Sequence, residues 1–96
     1  MIIKIVAKIK LYKNETSRKS AFTNGYRPLF NFIPEMKTSG QITLINSQNF
    51  SPGDEDLVEI IFGSADYLGS SFGTGTKFTF GEGRHALGEG EVIKII

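Results

Sequence analysis

The segment Gly81-Glu82-Gly83-Arg84-His85-Ala86 matches the G-x-G-x-x-G/A pattern that cradles a dinucleotide pyrophosphate where a strand turns into a helix. That chemistry needs a helix N-terminus aimed at the phosphates, and only Leu87 to Ile96 remain, a run with strand character. A hairpin turn is the expected structure, and no nucleotide is expected to bind there. Asp66-Tyr67-Leu68-Gly69 fits a D-x-x-G element, but no G-x-x-x-x-G-K-[ST] loop accompanies it to hold a triphosphate. His85 has Glu82 and Arg84 beside it, the residue types of a general base with a carboxylate partner. A turn histidine bonding across a hairpin accounts for it more simply. Asp54-Glu55-Asp56 offers hard oxygen ligands without the alternating spacing of a calcium loop, so a solvated turn is expected. Tyr12, Tyr26 and Tyr67 have the faces on which bases stack, and each also suits a half-packed surface position. No catalytic set, metal site or cofactor is expected from these residues.

The elements that position them follow a period of two. Ile3, Ile5, Ala7, Ile9 and Leu11 fall on one face of a strand over residues 2–12, with Lys4, Lys8 and Lys10 on the other. Tyr26 to Ile33 reads as a second strand, with Phe30 and Phe32 inward and Pro28 at its start or at an edge. Gln41 to Ile45 follows, with Ile42 and Leu44 on one face. Leu57 to Phe62 directs Val58, Ile60 and Phe62 to the core. Lys77 to Phe80 and Leu87 to Ile96 complete six strands. Asn24-Gly25 and Ser51-Pro52-Gly53-Asp54 are turn signals, the second matching a type II turn. Gly88 and Gly90 predict bulges or close backbone packing. One helical turn over Asp66-Tyr67-Leu68 is the only helix expected. The fold class is all-β, a single six-stranded closed antiparallel barrel over residues 1–96, since closure removes exposed sheet edges.

Composition agrees with one small domain able to bury a single core. The chain has 96 residues, 40% hydrophobic, no cysteine and one histidine. Disulfides and thiolate metal sites are excluded, and the absence of cysteine fits the cytoplasm, where the protein is expected to reside. No apolar run approaches a membrane span or a signal peptide, so no membrane partner is expected. The strand at the N-terminus predicts a free-standing module with nothing before it. Charge is uneven. Lys4, Lys8, Lys10, Lys13, Arg18, Lys19, Arg27 and Lys37 face only Glu15 and Glu35 across residues 1–37, while the remainder is acidic in balance. A basic flank attracts phosphates.

An ordered set of short matches resembles the C-terminal (third) barrel domain of elongation factor Tu. Gly25-Tyr26-Arg27-Pro28 with Phe30-Asn31-Phe32 is similar to that family's G-Y-R-P-Q-F-Y-F. Arg18-Lys19-Ser20-Ala21-Phe22 resembles R-H-T-P-F, Thr38-Ser39-Gly40 resembles V-T-G, and Ser51-Pro52-Gly53-Asp54 resembles M-P-G-D. The final stretch, Phe78-Thr79-Phe80-Gly81-Glu82-Gly83 through Gly88 to Ile96, resembles F-A-I-R-E-G-G running to G-A-G-V-V-x-K-V-L. The resemblance implies a barrel that touches the backbone of the tRNA T-stem and docks on other protein domains. Carried over by position, it assigns RNA contact to Arg18, Lys19, Arg27, Ser39, Glu82 and Gly83. It assigns protein contact to Tyr26, Leu29, Arg84 and His85. Leu29 stands where the family has glutamine, Ala21 where it has proline, and Arg84-His85 depart from its G-G-R-T.

Two functions follow as expectations. The first is a non-catalytic, translation-factor-like module binding tRNA or RNA backbone weakly and with steep salt sensitivity. The second is a protein-interaction module docking on a translational GTPase, an exchange factor or a second copy. Tyr12, Val6, Leu29, Ile33 and Tyr67 are its candidate exposed residues. Tyr26 has a purely architectural role open to it as well, its ring packed at the barrel's end and its hydroxyl on a backbone partner, with Arg27 pairing a carboxylate.

Overall fold

Alternating side chains become a cylinder because each strand must bury one face. A computed structural model describes residues 2–13, 20–34, 36–82 and 84–96. The strands are β1 (Ile3–Leu11), β2 (Phe22–Thr23), β3 (Leu29–Ile33), β4 (Met36–Leu44), β5 (Asn49–Phe50), β6 (Glu55–Phe62), β7 (Lys77–Glu82) and β8 (His85–Ile95). Six of them close a barrel in the order β1-β6-β4-β3-β7-β8, every pairing antiparallel. The expected all-β, six-stranded closed architecture is therefore present. β2 and β5 form a separate two-stranded ladder, Phe22 opposite Phe50.

The rhythm of β1 holds from Ile5 onward, while Ile3 and Lys4 at its start are both half-buried. Ile5, Ala7, Ile9 and Leu11 are buried, and Lys8 and Lys10 are exposed. Val58, Ile60 and Phe62 of β6 and Ile42 and Leu44 of β4 join them in the core. Phe30 is fully buried at the centre, its ring meeting Phe62 and Phe78 edge-on at 5.2 and 5.7 Å and lying tilted against Phe80 at 5.9 Å. Edge-to-face contacts of this kind add about 0.5–1.5 kcal/mol each beyond area burial. One end of the barrel is plugged by Phe22, stacked between Phe50 at 5.2 Å and Tyr26 at 4.4 Å. At the other end, Leu68 and Phe72 fold in from the long connection between β6 and β7.

Turn chemistry follows the residues. Gly53 takes a φ of 92°, and the Asp54 N–H donates to the Ser51 carbonyl at 2.9 Å, closing the turn that Pro52 initiates. Asp54 Oδ2 accepts the Ser51 N–H at 2.8 Å, so this carboxylate holds the turn. Pro28 is buried just before β3, where its missing N–H costs no ladder bond. The connection 63–76 contains successive hydrogen-bonded turns, Ala65 to Leu68, Gly69 to Phe72 and Gly73 to Thr76. The helical turn expected over Asp66-Tyr67-Leu68 is one of these reverse turns, because Gly69 at a φ of 96° ends any helical continuation. The glycine-rich 81–86 segment is a hairpin, with Glu82 opposite His85 and Gly81 opposite Ala86.

Two register shifts shape β8. One falls between Phe80 and Gly81 of its partner β7, the other between Val6 and Ala7 of β1. The second leaves Ile93 without a cross-strand partner on β1, and its side chain is exposed.

Tyr12 continues past β1 and fastens it to β8. Its N–H donates to the Leu87 carbonyl at 2.8 Å, and its hydroxyl donates to Glu89 Oε1 at 2.9 Å. Burial raises the phenol pKa above its ordinary value; the hydrogen bond to Glu89 and that carboxylate's charge push it the same way. A raised folded-state pKa favours the protonated form. The stabilisation is thus complete below the ordinary phenol pKa of about 10 and is lost as pH rises through the folded value. Tyr12→Phe is expected to cost about 0.5–1 kcal/mol near neutrality, the low end for a partly solvated bond. Its denaturation midpoint should converge on that of the parent above the folded pKa. Urea titrations at neutral and strongly alkaline pH check this.

Candidate binding surface

The candidate residues sit where β4, β3 and the β7–β8 hairpin lie side by side. Register sets the surface. Leu29 of β3 is paired with Ser39 of β4 on one side and Gly81 of β7 on the other. One pleat along, Asn31 lies between Lys37 and Thr79. Strands alternate faces, so the outward residues of β3 and β4 in these two rows are Leu29, Asn31, Ser39 and Lys37.

Arg27 is exposed, between half-buried Tyr26 and buried Pro28 just before β3. Its Nη2 donates to Gln41 Oε1 at 2.8 Å. This partner is a neutral amide rather than the carboxylate expected, so the pairing orients the guanidinium over β4 without cancelling its charge. Tyr26 bridges to Ile42, an antiparallel contact that extends the strand register beyond β3. Its ring packs on Phe22, as its architectural role requires. Its hydroxyl donates to Glu82 Oε2 rather than to backbone. Glu82 ends β7, so this bond ties the segment before β3 to the tip of the hairpin.

The two sets of candidates are interleaved, not separate. Arg27, Ser39 and Glu82 from the RNA set alternate with Tyr26, Leu29, Arg84 and His85 from the protein set. Leu29, Arg84 and His85 border one shallow groove of about 160 Å³ together with Asn31, Lys37 and Thr79. Arg18, Lys19 and Gly83 lie outside the described residues. Lys37 appeared in the sequence only as one member of the basic flank, and Asn31 and Thr79 only inside quoted motifs; none was assigned to the site. The signal that finds them is the period of two, counted from Ser39 back to Lys37 and from Leu29 on to Asn31.

The remaining candidates do not converge. Leu29 and Tyr67 are exposed, while Tyr12, Val6 and Ile33 are only half-buried. Val6 of β1 pairs with Glu59 of β6 and Lys94 of β8, across the barrel from β3. Tyr67 sits in the 63–76 connection.

For acid–base work, His85 stands opposite Glu82 in the hairpin, but the Glu82 carboxylate accepts the Tyr26 hydroxyl. Asp56 Oδ1 accepts from Asn46 Nδ2 at 3.0 Å and from the Leu57 N–H at 2.7 Å, a local structural arrangement. Among the described residues no three His, Asp or Glu side chains gather to hold a metal ion. What the groove can do chemically is present Arg84 and Lys37 as cations, with Asn31 and Thr79 as neutral hydrogen-bonding groups and Leu29 as an apolar floor. No model of a known protein family matches the chain.

Proposed function

We propose that the protein is a non-catalytic binding module that holds an RNA backbone across the β4–β3–β7 face. The observation that carries this reading is the grouping of Lys37 and Arg84 in one groove, flanked by Arg27, whose hydrogen-bond partner is a neutral amide. Asn31, Ser39 and Thr79 supply polar groups suited to riboses and phosphate oxygens. Among the described residues of the face the aromatic ring of Tyr26 is stacked on Phe22 rather than offered to a base. Backbone contact without base readout fits this chemistry. Kinship with the third barrel of elongation factor Tu belongs to the same proposal. It rests on the ordered motifs quoted above and on a barrel of the strand number they imply. Cytoplasmic residence and the absence of enzymatic activity are part of the reading too.

Three cations neutralising phosphates give a salt slope of about −2 to −3 in log K against log salt, with dissociation constants of roughly 10⁻⁴–10⁻⁶ M at physiological salt. The test is a fluorescence titration of labelled tRNA at several salt concentrations. Lys37→Glu combined with Arg84→Glu is expected to weaken binding at least tenfold and to flatten the slope by about 2. No binding at low salt, or parental affinity in the doubly reversed protein, removes the proposal.

A second reading is favoured by Leu29, which is 38% exposed within the groove. A protein partner, whether a translational GTPase, an exchange factor or a second copy, would cover it. Leu29→Asn, which removes the apolar surface without adding charge to the groove, then abolishes partner binding while leaving any tRNA titration nearly unchanged.

A further inference from the structure

The Asn24-Gly25 pair that turns the chain toward Tyr26 also carries reactive chemistry. Gly25 has no Cβ to shield its amide nitrogen, and both residues are exposed to water. In an Asn-Gly pair the glycine nitrogen, once deprotonated, attacks the asparagine Cγ. A nitrogen–carbon bond forms, the side-chain amide leaves as ammonia, and a five-membered imide results. Solvent water then opens the imide at either carbonyl, giving aspartate or isoaspartate.

Two hydrogen bonds oppose this reaction in the folded protein. The Gly25 N–H donates to the Ile42 carbonyl at 3.0 Å, so the attacking nitrogen keeps its proton and points at β4. Asn24 Oδ1 accepts the Leu44 N–H, so the side chain that must swing onto Gly25 is anchored two residues further along the same strand. The Ile42 N–H returns a bond to the Tyr26 carbonyl at 2.8 Å, closing the bridge. Nucleophile and electrophile are therefore both tied to residues 42–44. Peeling the 24–26 segment from β4 frees them in one event.

We infer that Asn24 is a latent self-modification site, silenced by its pairing to β4 and released by local opening of that pairing. The two products differ in consequence. Aspartate preserves the backbone, and its carboxylate still accepts the Leu44 N–H. Isoaspartate adds one atom to the main chain, which puts Tyr26 out of register with Ile42 and detaches its hydroxyl from Glu82. Either product adds a negative charge three residues before Arg27 in the chain. The inference does not depend on the RNA reading, because it concerns the chain's own bonds.

The experiment incubates the full-length protein in mildly alkaline buffer, with and without unfolding urea, and follows ammonia loss at Asn24 by peptide mass spectrometry. Conversion in urea is expected to be at least about tenfold faster, as for any reaction gated by local opening. Tyr26→Phe, which removes the anchor on Glu82 but keeps the ring, is expected to convert severalfold faster than the parent in buffer alone. Coincident rates with and without urea, or an intact Asn24 in both, overturn the assignment. So does a folded Tyr26→Phe protein that converts no faster than the parent.

Discussion

Replacing Phe30 by alanine is expected to lower the free energy of unfolding by about 3–5 kcal/mol, the range for removing a buried aromatic ring. Phe30 is fully buried and meets three other rings, from β6 and β7. The rings around the vacancy belong to different strands of a closed cylinder, so they cannot collapse inward without bending the ladder that holds them. A domain of this size has only about 5–10 kcal/mol in total, so the variant should lose roughly a third or more of its stability and unfold at a much lower denaturant concentration. Phe30→Leu retains most of the volume and is expected to cost about half as much. Guanidinium titrations of the three proteins check this. A loss under about 1 kcal/mol for Phe30→Ala would mean that the ring cluster is not what fills the barrel.

The second large effect is expected from adding a single methyl group at Gly88. A Cβ there would lie 2.3 Å from Phe80 Cζ and 2.5 Å from the Lys10 carbonyl oxygen. The ring has some freedom to tilt, but the carbonyl is main chain of β1, paired with β8 through the Leu11–Gly88 and Lys10–Glu89 partners. Relief requires that ladder to part. Gly88→Ala is therefore expected to cost about 3 kcal/mol or more, the upper end for overpacking. Gly63→Ala is the matched control, since nothing lies within 4 Å of its added carbon, and it should change stability by less than about 0.5 kcal/mol. Adding Phe80→Leu to Gly88→Ala separates the two clashes. Partial rescue assigns the residual cost to the Lys10 carbonyl, whereas full rescue would assign the whole effect to the ring.

These two positions show which parts of the fold the amino-acid pattern reveals. β1 and the second half of β6 are legible because apolar and polar residues alternate where one face is buried and the other wet. β4 is not: its readable part begins at Gln41, yet the strand starts at Met36. Met36-Lys37-Thr38-Ser39 carries no buried aliphatic residue, and its pairing with β3 is supplied by backbone. β6 likewise begins at Glu55, where Glu55 and Asp56 pair with Lys10 and Ile9. β2 and β5 are two residues each, too short for any period, and only Phe22 and Phe50 mark them. The close packing expected at Gly88 and Gly90 is present, but the register shifts of β8 lie elsewhere. They depend on matching three strands around a closed ring, which no single segment encodes.

The binding surface divides in the same way. Tyr26, Arg27, Ser39 and Glu82 were reachable through ordered short motifs. Asn31 and Thr79 lie within those motifs and Lys37 within the basic flank, but nothing marked them as site residues, because outward polar residues look alike until pairing places them in one row. The Tyr26–Glu82 bond joins residues 56 positions apart and was equally invisible in the chain.

Barrel closure has a consequence in time. β1 takes β6 on one side and β8 on the other, with Ile5 opposite Ile95 and Leu11 opposite Gly88. Within the barrel β1 is synthesised before β8 and thus waits for it before its second edge is covered. Until then a nascent chain exposes a long row of unpaired amides and carbonyls, the feature that invites pairing with other chains. Lys4, Lys8 and Lys10 on the same strand supply mutual repulsion between neighbouring nascent copies through that interval.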